Sequence, residues 1–417
     1  MTRLLDDAAA DFPDIAAVDA HGYTLTYREL LDRVDRFATA LSDLHIGLGD
    51  RVSLLLPPCP QHVVAFFAVA RLGAVVVEHD PTAPAAALER QLNEAGSRAV
   101  ICLDPLYSRL GRLKGRLPSV RHIIATGMQD ALPFPRNVLF PLLGRRRGAY
   151  RRIDEGEGVL RFTELIHRAA PFTVGSTLEA DTHPAVLIYP EDGRALTFTH
   201  AALVTAAFQT RLWVPDVQAG TERVLAALAL HTAVGLGAQL LFTVLSAGTL
   251  VLVRDLDRSR MLRAVERTSP TLMMASAETF VAPRERRRRR RDLTSLRVCL
   301  AVGARLDIDA VERFEEVSGA RVRLGWGVPD VGGLTHANPV YGLADPERIG
   351  LPLPDVACIL VDPEDPSRPA SGNRGHMAVF GPQSARAESD RAGVSSDGWI
   401  RTGALAESSP AGFRLME

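Results

Sequence analysis

Hydrophobic positions in the N-terminal half follow two different spacings. Continuous apolar runs occur in RVSLLL, GAVVVE and RAVICL, and such runs are typical of strands that are buried on both faces. Between them the hydrophobic residues recur at helical spacing, and the first of these helices starts at a capping box formed by Thr26 and Glu29. Further helices are predicted at about residues 60–69 and 85–94, and Gly96 is expected to end the second of them. This alternation predicts a mostly parallel sheet covered by helices.

The segment AVLIYPEDGRALTFTH, residues 185–200, has the pattern of a buried strand followed by a tight turn. Thr199 lies where a helix that follows the turn would be capped. Many α/β proteins bind phosphate at such a strand-to-helix loop through backbone N–H groups. Glu191 and Asp192 would repel a phosphate here.

Residues 224–253 contain no charged side chain and are long enough to span a bilayer. The competing interpretation divides them into a buried strand (224–230), an apolar helix (236–245) and a second strand (249–253). Gly235, Gly237 and Gly248 interrupt the apolar run where the turns would lie. The sequence therefore favours a soluble α/β segment.

The rest of the chain divides by the same criteria. Between residues 113 and 170 the hydrophobic periodicity weakens and the charge rises, as expected of a surface excursion. Near the C-terminus, short antiparallel strands are predicted at ACILVD, GHMAVFG and GWIRTG. We therefore predict an α/β fold with two parallel-sheet α/β subdomains and a small antiparallel β subdomain. Their boundaries are placed at residues 1–175, 176–345 and 346–417.

Composition excludes several classes of protein. The 47% hydrophobic and 23% charged residues, with a net charge of −1, describe an ordinary globular protein without a dominant electrostatic partner. The 4 cysteines form no CxxC pair, and MTRLLDDAAADFPD has acids where a signal peptide needs an apolar core. These features predict a cytoplasmic protein. Of 48 basic residues only Lys114 is a lysine, so lysine chemistry elsewhere is excluded.

Five segments occur along the chain in the order LTYRELLDRVDRFATAL, GDRVSLLLPPCPQHVVAFFAVARLGAVVVEHDPTAP, DLTSLRVCLAVGARLD, IGLPLPDVACILVDPEDP and DGWIRTG. In sequence and in order they resemble the adenylate-forming (AMP-binding) enzymes, and among them the bacterial long-chain fatty-acid–CoA ligases. The resemblance implies a protein that joins a fatty acid or other carboxylic acid to ATP, with magnesium, and then to coenzyme A. It also implies a mobile C-terminal lid, which we expect to be absent because the sequence stops at GFRLME.

The chain departs from this family at the residues that bind nucleotide. PEDGR replaces the glycine- and hydroxyl-rich phosphate loop, WGVPD replaces Y-G-x-T-E, and Ala404 replaces the aspartate that binds the ribose hydroxyls. Trp326 is predicted to stack on adenine or to lie in the core, and Asp330 to bind magnesium or to be solvated. The nucleotide-binding residues implied by the resemblance, in vestigial form, are Asp192, Gly193, Arg194, Gly303, Ala304, Gly325, Trp326, Gly327, Asp330 and Thr402.

The family's acyl-pocket segment corresponds to LALHTAVGL in this chain. The resemblance implies that His231, Thr232 and Gly235 border an acyl pocket. The family's histidine aligns with Thr232, and His231 lies one position earlier, so His231 is expected to be packed rather than to gate the pocket.

Arginines cluster at residues 145–147, 151–152 and 286–291. A solvated loop is the favoured interpretation, contact with an anionic membrane surface is the second, and nucleic-acid binding is the third. No aromatic stacking platform or helix-turn-helix pattern accompanies these arginines.

Three hypotheses for function remain open, and none assigns a catalytic residue. The first is a fatty-acid–CoA ligase homologue with impaired or lost adenylation that keeps an acyl-binding scaffold, binds no ATP, and pairs with an active ligase. The second is an active enzyme in which Arg194 and Asp330 substitute for the usual groups while a partner supplies the lid. The third is a truncated gene product without function.

Overall fold

The computed structural model describes residues 1–20, 22–132, 159–171, 178–253, 256–280, 291–303, 305–342, 345–365, 367–386 and 398–416. The chain separates into two compact units, Met1–His200 (unit 1) and Ala201–Glu417 (unit 2), which are described in turn. The three predicted subdomain boundaries stay predictions.

Unit 1 is built on a sheet of buried, mainly parallel strands. In space their order is β7-β6-β5-β3-β4-β8-β9, and only β8 and β9 pair in antiparallel fashion. A separate antiparallel hairpin precedes them in the sequence. The strands are β1 (Ala16–Ala20), β2 (Tyr23–Thr26), β3 (Arg51–Leu55), β4 (Val75–Glu78), β5 (Ala99–Leu103), β6 (His122–Thr126), β7 (Leu160–Arg161), β8 (Pro184–Ile188) and β9 (Leu196–Thr199).

The helices of unit 1 start and end at the signals that the sequence contains. Thr26 and Glu29 form the predicted capping box, with the Thr26 N–H donating to Glu29 Oε2 at 2.8 Å. Gly96 ends another helix in the left-handed conformation, with φ +62°. The helices are α1 (Thr2–Asp11), α2 (Tyr27–Asp43), α3 (Pro60–Arg71), α4 (Ala85–Ala95), α5 (Asp104–Leu113) and α6 (Phe162–Arg168).

Unit 2 contains a second parallel sheet and the small antiparallel sheet. Five of its strands pair in parallel, and two short strands extend them in antiparallel fashion. The parallel strands are β10 (Arg223–Ala227), β11 (Thr249–Leu252), β12 (Leu272–Ser276), β13 (Val298–Val302) and β14 (Arg321–Trp326), and the short strands are β15 (His336–Ala337) and β16 (Leu351–Pro352). The helices are α7 (His200–Trp213), α8 (Phe242–Leu245), α9 (Arg258–Thr268) and α10 (Ile308–Ser318). The small sheet has the order β17 (Ala357–Val361), β18 (Arg374–Phe380), β19 (Ile400–Ser409) and β20 (Gly412–Leu415). The predicted fold class is confirmed.

Three local expectations differ from the structure. β9 lies between the turn and α7, because Leu196 and Phe198 alternate inward and pair with β8. The apolar helix begins as a π-helix over Gly235–Leu241 before it continues as α8. Within the predicted surface excursion, β6 is a buried strand of the sheet, so that prediction is wrong for residues 122–126.

The charge-free stretch is divided into β10, the π-helix with α8, and β11, as the soluble interpretation predicts. Among the described residues, no helix combines the length and hydropathy needed to cross a membrane. The arginines at residues 145–147, 151–152 and 286–290 lie outside the described residues. Arg291 pairs with Glu266 at 3.6 Å.

The core of unit 1 contains polar side chains that are fully removed from solvent. His62 on α3 and Glu78 at the end of β4 are both inaccessible, and His62 Nε2 lies 2.8 Å from Glu78 Oε1. Beside them, His79 Nε2 lies 2.8 Å from Ser53 Oγ, and its Nδ1 lies 3.0 Å from Gln91 Oε1. Buried polar groups of this kind stabilise a fold only while each keeps its partner.

Candidate functional site

The turn between β8 and β9 stands where the resemblance implies a phosphate loop. It is closed by the N–H of Gly193, which donates to the carbonyl oxygen of Pro190 at 2.8 Å. Gly193 has φ +75°, a backbone conformation that glycine adopts without strain. The turn is therefore short and tightly closed.

The charged groups of this turn bind each other. The Arg194 N–H donates to Asp192 Oδ1 at 2.9 Å, and Arg194 Nε donates to Asp192 Oδ2 at 2.7 Å. Both side chains are about half exposed, so the pair contributes at most about 1 kcal/mol to stability. Its electrostatic effect is nevertheless direct, because the carboxylate of Asp192 neutralises the guanidinium.

A second arginine fixes the turn from outside. Arg90 on α4 donates through Nη1 and Nη2 to the carbonyl oxygen of Gly193, each at 3.1 Å. A Cβ atom at Gly193 would lie 2.6 Å from Arg90 Nη2, a contact that the exposed Arg90 side chain can relieve by moving, so the positive φ is what favours glycine here. Asp192, Gly193 and Arg194 are thus brought together, in contact with one another and with Arg90.

In unit 2, Trp326 ends β14 with its indole packed in a hydrophobic cluster. The side chain is 6% exposed and packs with Leu324, Val331 and Ile349. Its carbonyl oxygen accepts from the Thr335 N–H at 2.9 Å. This burial supports the core interpretation of Trp326, whereas its stacking on adenine stays a prediction.

The residues after Trp326 form a close backbone crossing. A Cβ at Gly327 would lie 1.7 Å from the Gly333 carbonyl oxygen, so only glycine fits there. Pro329–Val331 form a single 3₁₀ turn, and the Asp330 carbonyl oxygen accepts from the Ala385 N–H at 2.9 Å. Within the described part of the chain, no three His, Cys, Asp or Glu side chains are grouped so as to hold a metal.

Gly303 and Gly325 meet at the ends of neighbouring parallel strands. The Gly303 N–H donates to the Gly325 carbonyl oxygen at 3.0 Å. A Cβ at Gly303 would lie 2.9 Å from Ala277 Cβ, and one at Gly325 would lie 2.9 Å from Leu334 Cδ2. Both glycines therefore permit close packing, and Ala304 lies outside the described residues.

Thr402 and Ala404 lie on an irregular part of β19. The register of β18 against β19 shifts opposite Met377. Thr402 Oγ1 donates to the Met377 carbonyl oxygen at 2.9 Å and accepts from the Ala404 N–H at 3.2 Å, while Gly403 has φ +74°. The backbone at position 404 is thus held in place although the side chain is only a methyl group. Ala404 packs against the same cluster as Trp326.

Residues 5–142 and 195–387 match the family described as AMP-binding enzyme. The chain belongs to the AMP-binding enzyme family. The unmatched stretch between the two segments contains Asp192, Gly193 and Arg194, which is where the sequence departs from the family's phosphate loop.

The relatives of this chain include acyl-CoA ligases. It is 28% identical to a long-chain-fatty-acid–CoA ligase of Bacillus subtilis (strain 168) over 424 residues, which cover 99% of this chain and 75% of the relative. The anthranilate CoA ligase AuaEII, solved with anthranoyl-AMP, has a TM-score of 0.85 at 19% identity, covering 99% of this chain and 77% of that one. A long-chain-fatty-acid-CoA ligase (FadD1) from Archaeoglobus fulgidus has a TM-score of 0.85 at 15% identity, covering 100% of this chain and 83% of that one. These two structures support the fold.

The residues expected at the acyl pocket lie at the start of the π-helix. The Thr232 hydroxyl donates to the Ala229 carbonyl oxygen at 2.7 Å and accepts from the Gly235 N–H at 3.1 Å. A Cβ at Gly235 would lie 2.0 Å from the Ala229 oxygen, so glycine is required. Thr232 therefore acts as a cap, and His231 beside it is partly buried. Their role at an acyl pocket stays a prediction.

One buried histidine near Trp326 was not predicted from the sequence. His336 on β15 is inaccessible, its Nδ1 lies 2.9 Å from Thr335 Oγ1, and its ring centroid lies 5.8 Å from that of Trp326. Burial lowers the pKa of His336 from 6.5 to about 4. A lone histidine in a short strand gives no sequence signal of its burial.

We expect acid to destabilise the protein through His336. Between pH 6.5 and 4 the unfolded chain binds a proton there that the folded chain does not. The free energy of unfolding therefore falls as pH is lowered, by about 1.4 kcal/mol per pH unit from this group. Urea unfolding of the protein and of His336→Phe across this range measures the contribution. An equally steep fall in the variant would contradict it.

Proposed function

We propose that this chain is a fatty-acid–CoA ligase homologue with impaired ATP-dependent adenylation that retains a scaffold for a fatty acid or other carboxylic acid. It then serves as a binding or regulatory subunit, for which an active ligase is the natural partner. The observation that carries this proposal is the bond between Arg194 and Asp192 within the turn that replaces the phosphate loop.

Electrostatics at the turn argue against a bound triphosphate. A carboxylate about 4 Å from a phosphate costs about 1 kcal/mol per charge pair in water and several times more where water is partly excluded. Asp192 would add this repulsion and also competes for the Arg194 N–H and guanidinium. A phosphate would have to displace the Asp192 carboxylate from Arg194, and that carboxylate belongs to the same turn and stays close by.

The other nucleotide positions support the same proposal. Pro329 has neither the hydroxyl nor the N–H of the residue it replaces, and Ala404 has no carboxylate for the ribose hydroxyls. Asp330 offers one carboxylate, and Mg²⁺ takes its other ligands from phosphates and water, so Asp330 would hold the ion only together with a bound triphosphate. The residues present therefore do not fit ATP with magnesium.

The acid-binding part of the proposal rests on the retained scaffold. The relative from Bacillus subtilis is a long-chain-fatty-acid–CoA ligase, and its similarity extends over 99% of this chain. The segment expected at the acyl pocket is ordered by Thr232 and Gly235. A binding function needs this scaffold and does not need the phosphate loop.

Pyrophosphate–ATP exchange and calorimetry on the full chain test the proposal. With palmitate, ATP and magnesium we expect no palmitate-dependent exchange, and we expect palmitate to bind equally well with and without ATP. Robust exchange would overturn the proposal, and failure to bind palmitate or shorter fatty acids would remove its acid-binding part.

A variant pair tests the role of the turn itself. Asp192→Asn removes the competing carboxylate, so we expect pyrophosphate to bind about fivefold tighter than to the unmodified chain. Glu191→Gln removes an equal charge from the adjacent position but leaves the Arg194 pair intact, and we expect a smaller gain. Equal gains would mean that only net charge matters.

A further inference from the structure

Unit 1 contains a cavity that the proposed function does not use. Its volume is about 470 Å³, within the roughly 300–1,000 Å³ that small-molecule sites occupy. It lies among β2, α2, α3 and α6, and its apolar lining includes Leu25, Val64, Phe162 and Ile166. This lining suits a compact hydrophobic body.

Two hydrogen-bond donors stand side by side in the cavity wall. Arg33 Nη1 donates to Tyr23 Oη at 2.6 Å, and the guanidinium lies 5.7 Å from the centre of the Tyr23 ring. Among the described residues, no carboxylate lies within ion-pair distance of Arg33, and the Tyr23 hydroxyl proton has no acceptor. The positive charge and the hydroxyl proton are thus both available to an anion.

The other charged groups of the wall are satisfied by the chain. Arg36 Nε donates to both carboxylate oxygens of Asp32, at 3.0 and 2.9 Å, and its Nη1 donates to the Ala169 carbonyl oxygen. Asp130 Oδ2 accepts from Thr126 Oγ1 at 3.0 Å and from the Gly127 N–H at 2.8 Å. Arg33 is consequently the cation of this wall that has no described carboxylate within ion-pair distance, whereas the Asp130 carboxylate is held by the neutral donors of Thr126 and Gly127.

We propose that this cavity binds a small carboxylic acid with a compact apolar body. The carboxylate accepts from the Arg33 guanidinium and the Tyr23 hydroxyl, and the apolar body packs against Val64 and Phe162. A single unbalanced guanidinium matches one carboxylate, whereas a phosphate dianion would leave half of its charge uncompensated.

Calorimetry on the full chain with octanoate and benzoate tests this site. We expect one of these acids to bind and its neutral analogue, octanol or benzamide, to bind at least tenfold more weakly. Arg33→Gln should weaken acid binding about 10- to 100-fold, and Tyr23→Phe about three- to tenfold. Arg28→Gln is the matched control on α2, because Arg28 is exposed, pairs with Asp14 and lies outside the cavity.

A second variant covers the case in which Arg33→Gln fails to fold. Thr163 borders the cavity and is partly buried, so Thr163→Phe should fill the space and block the acid without changing a charge. Unchanged affinity in Arg33→Gln or in Thr163→Phe would place the acid elsewhere and overturn the proposal. So would equal binding of the neutral analogues, or no binding of either acid at millimolar concentration.

Discussion

His62→Leu should lower the free energy of unfolding by about 3–5 kcal/mol. His62 and Glu78 are both inaccessible to solvent, and their side chains meet at 2.8 Å. Removing the histidine leaves the Glu78 carboxylate buried without its hydrogen-bond partner, and the cost of an uncompensated buried charge is of this size.

The position of the pair makes relaxation difficult. Every residue of α3, the helix that carries His62, is buried, and Glu78 ends β4, an interior strand of the sheet. Water therefore has no short route to the orphaned carboxylate. His62 Nδ1 and Glu78 Oε2 have no hydrogen-bond partner among the described residues, so the pair has no other contact that would compensate.

Urea unfolding followed by circular dichroism measures this effect. The double variant His62→Leu/Glu78→Leu removes both polar groups, and we expect it to recover much of the lost stability. His167→Leu, at an exposed histidine of α6, is the control and should change stability by less than about 0.5 kcal/mol. A double variant as unstable as His62→Leu would mean that the lost packing, and not the orphaned carboxylate, dominates.

The parts of the fold that follow from local chemistry were predictable from the sequence. The apolar runs gave β3, β4 and β5, the Thr26–Glu29 box gave the start of α2, and Gly96 gave the end of α4. Each of these signals acts over a few residues. The pairing of His62 with Glu78 depends on how α3 packs on β4, which no local pattern specifies.

The same distinction applies to the candidate site. The replacement of the phosphate loop was visible from the sequence, because PEDGR lacks the hydroxyl residues and most of the glycines that the family has there. The resemblance implies that Arg194 belongs to the nucleotide site, yet its contact with Asp192 depends on the φ of Gly193 and on Arg90, which reaches the turn from α4. The cavity beside Arg33 combines four separate segments, so no local pattern in the sequence predicts it.

Position 404 is the point where one substitution has the largest expected effect on nucleotide binding. The backbone there is fixed by Thr402, whose hydroxyl contacts both Met377 and the Ala404 N–H. The resemblance implies that an aspartate at this position accepts hydrogen bonds from the ribose hydroxyls. Ala404→Asp would place that carboxylate on a backbone that is already ordered, at a partly buried position beside the cluster that contains Trp326.

We expect Ala404→Asp to bind AMP about a hundredfold or more tighter than the unmodified chain. Two charge-assisted hydrogen bonds, each worth about 1.5–3 kcal/mol, account for this gain, and AMP avoids the repulsion that a triphosphate would meet at Asp192. Calorimetry with AMP and with 2′,3′-dideoxy-AMP measures it, and the gain should vanish with the dideoxy analogue. Ala404→Asn is the control, because a neutral amide of nearly the same shape should give a much smaller gain. An equal gain with the dideoxy analogue would show that the new carboxylate does not reach the ribose, since the hydroxyls are the only groups that differ between the two ligands.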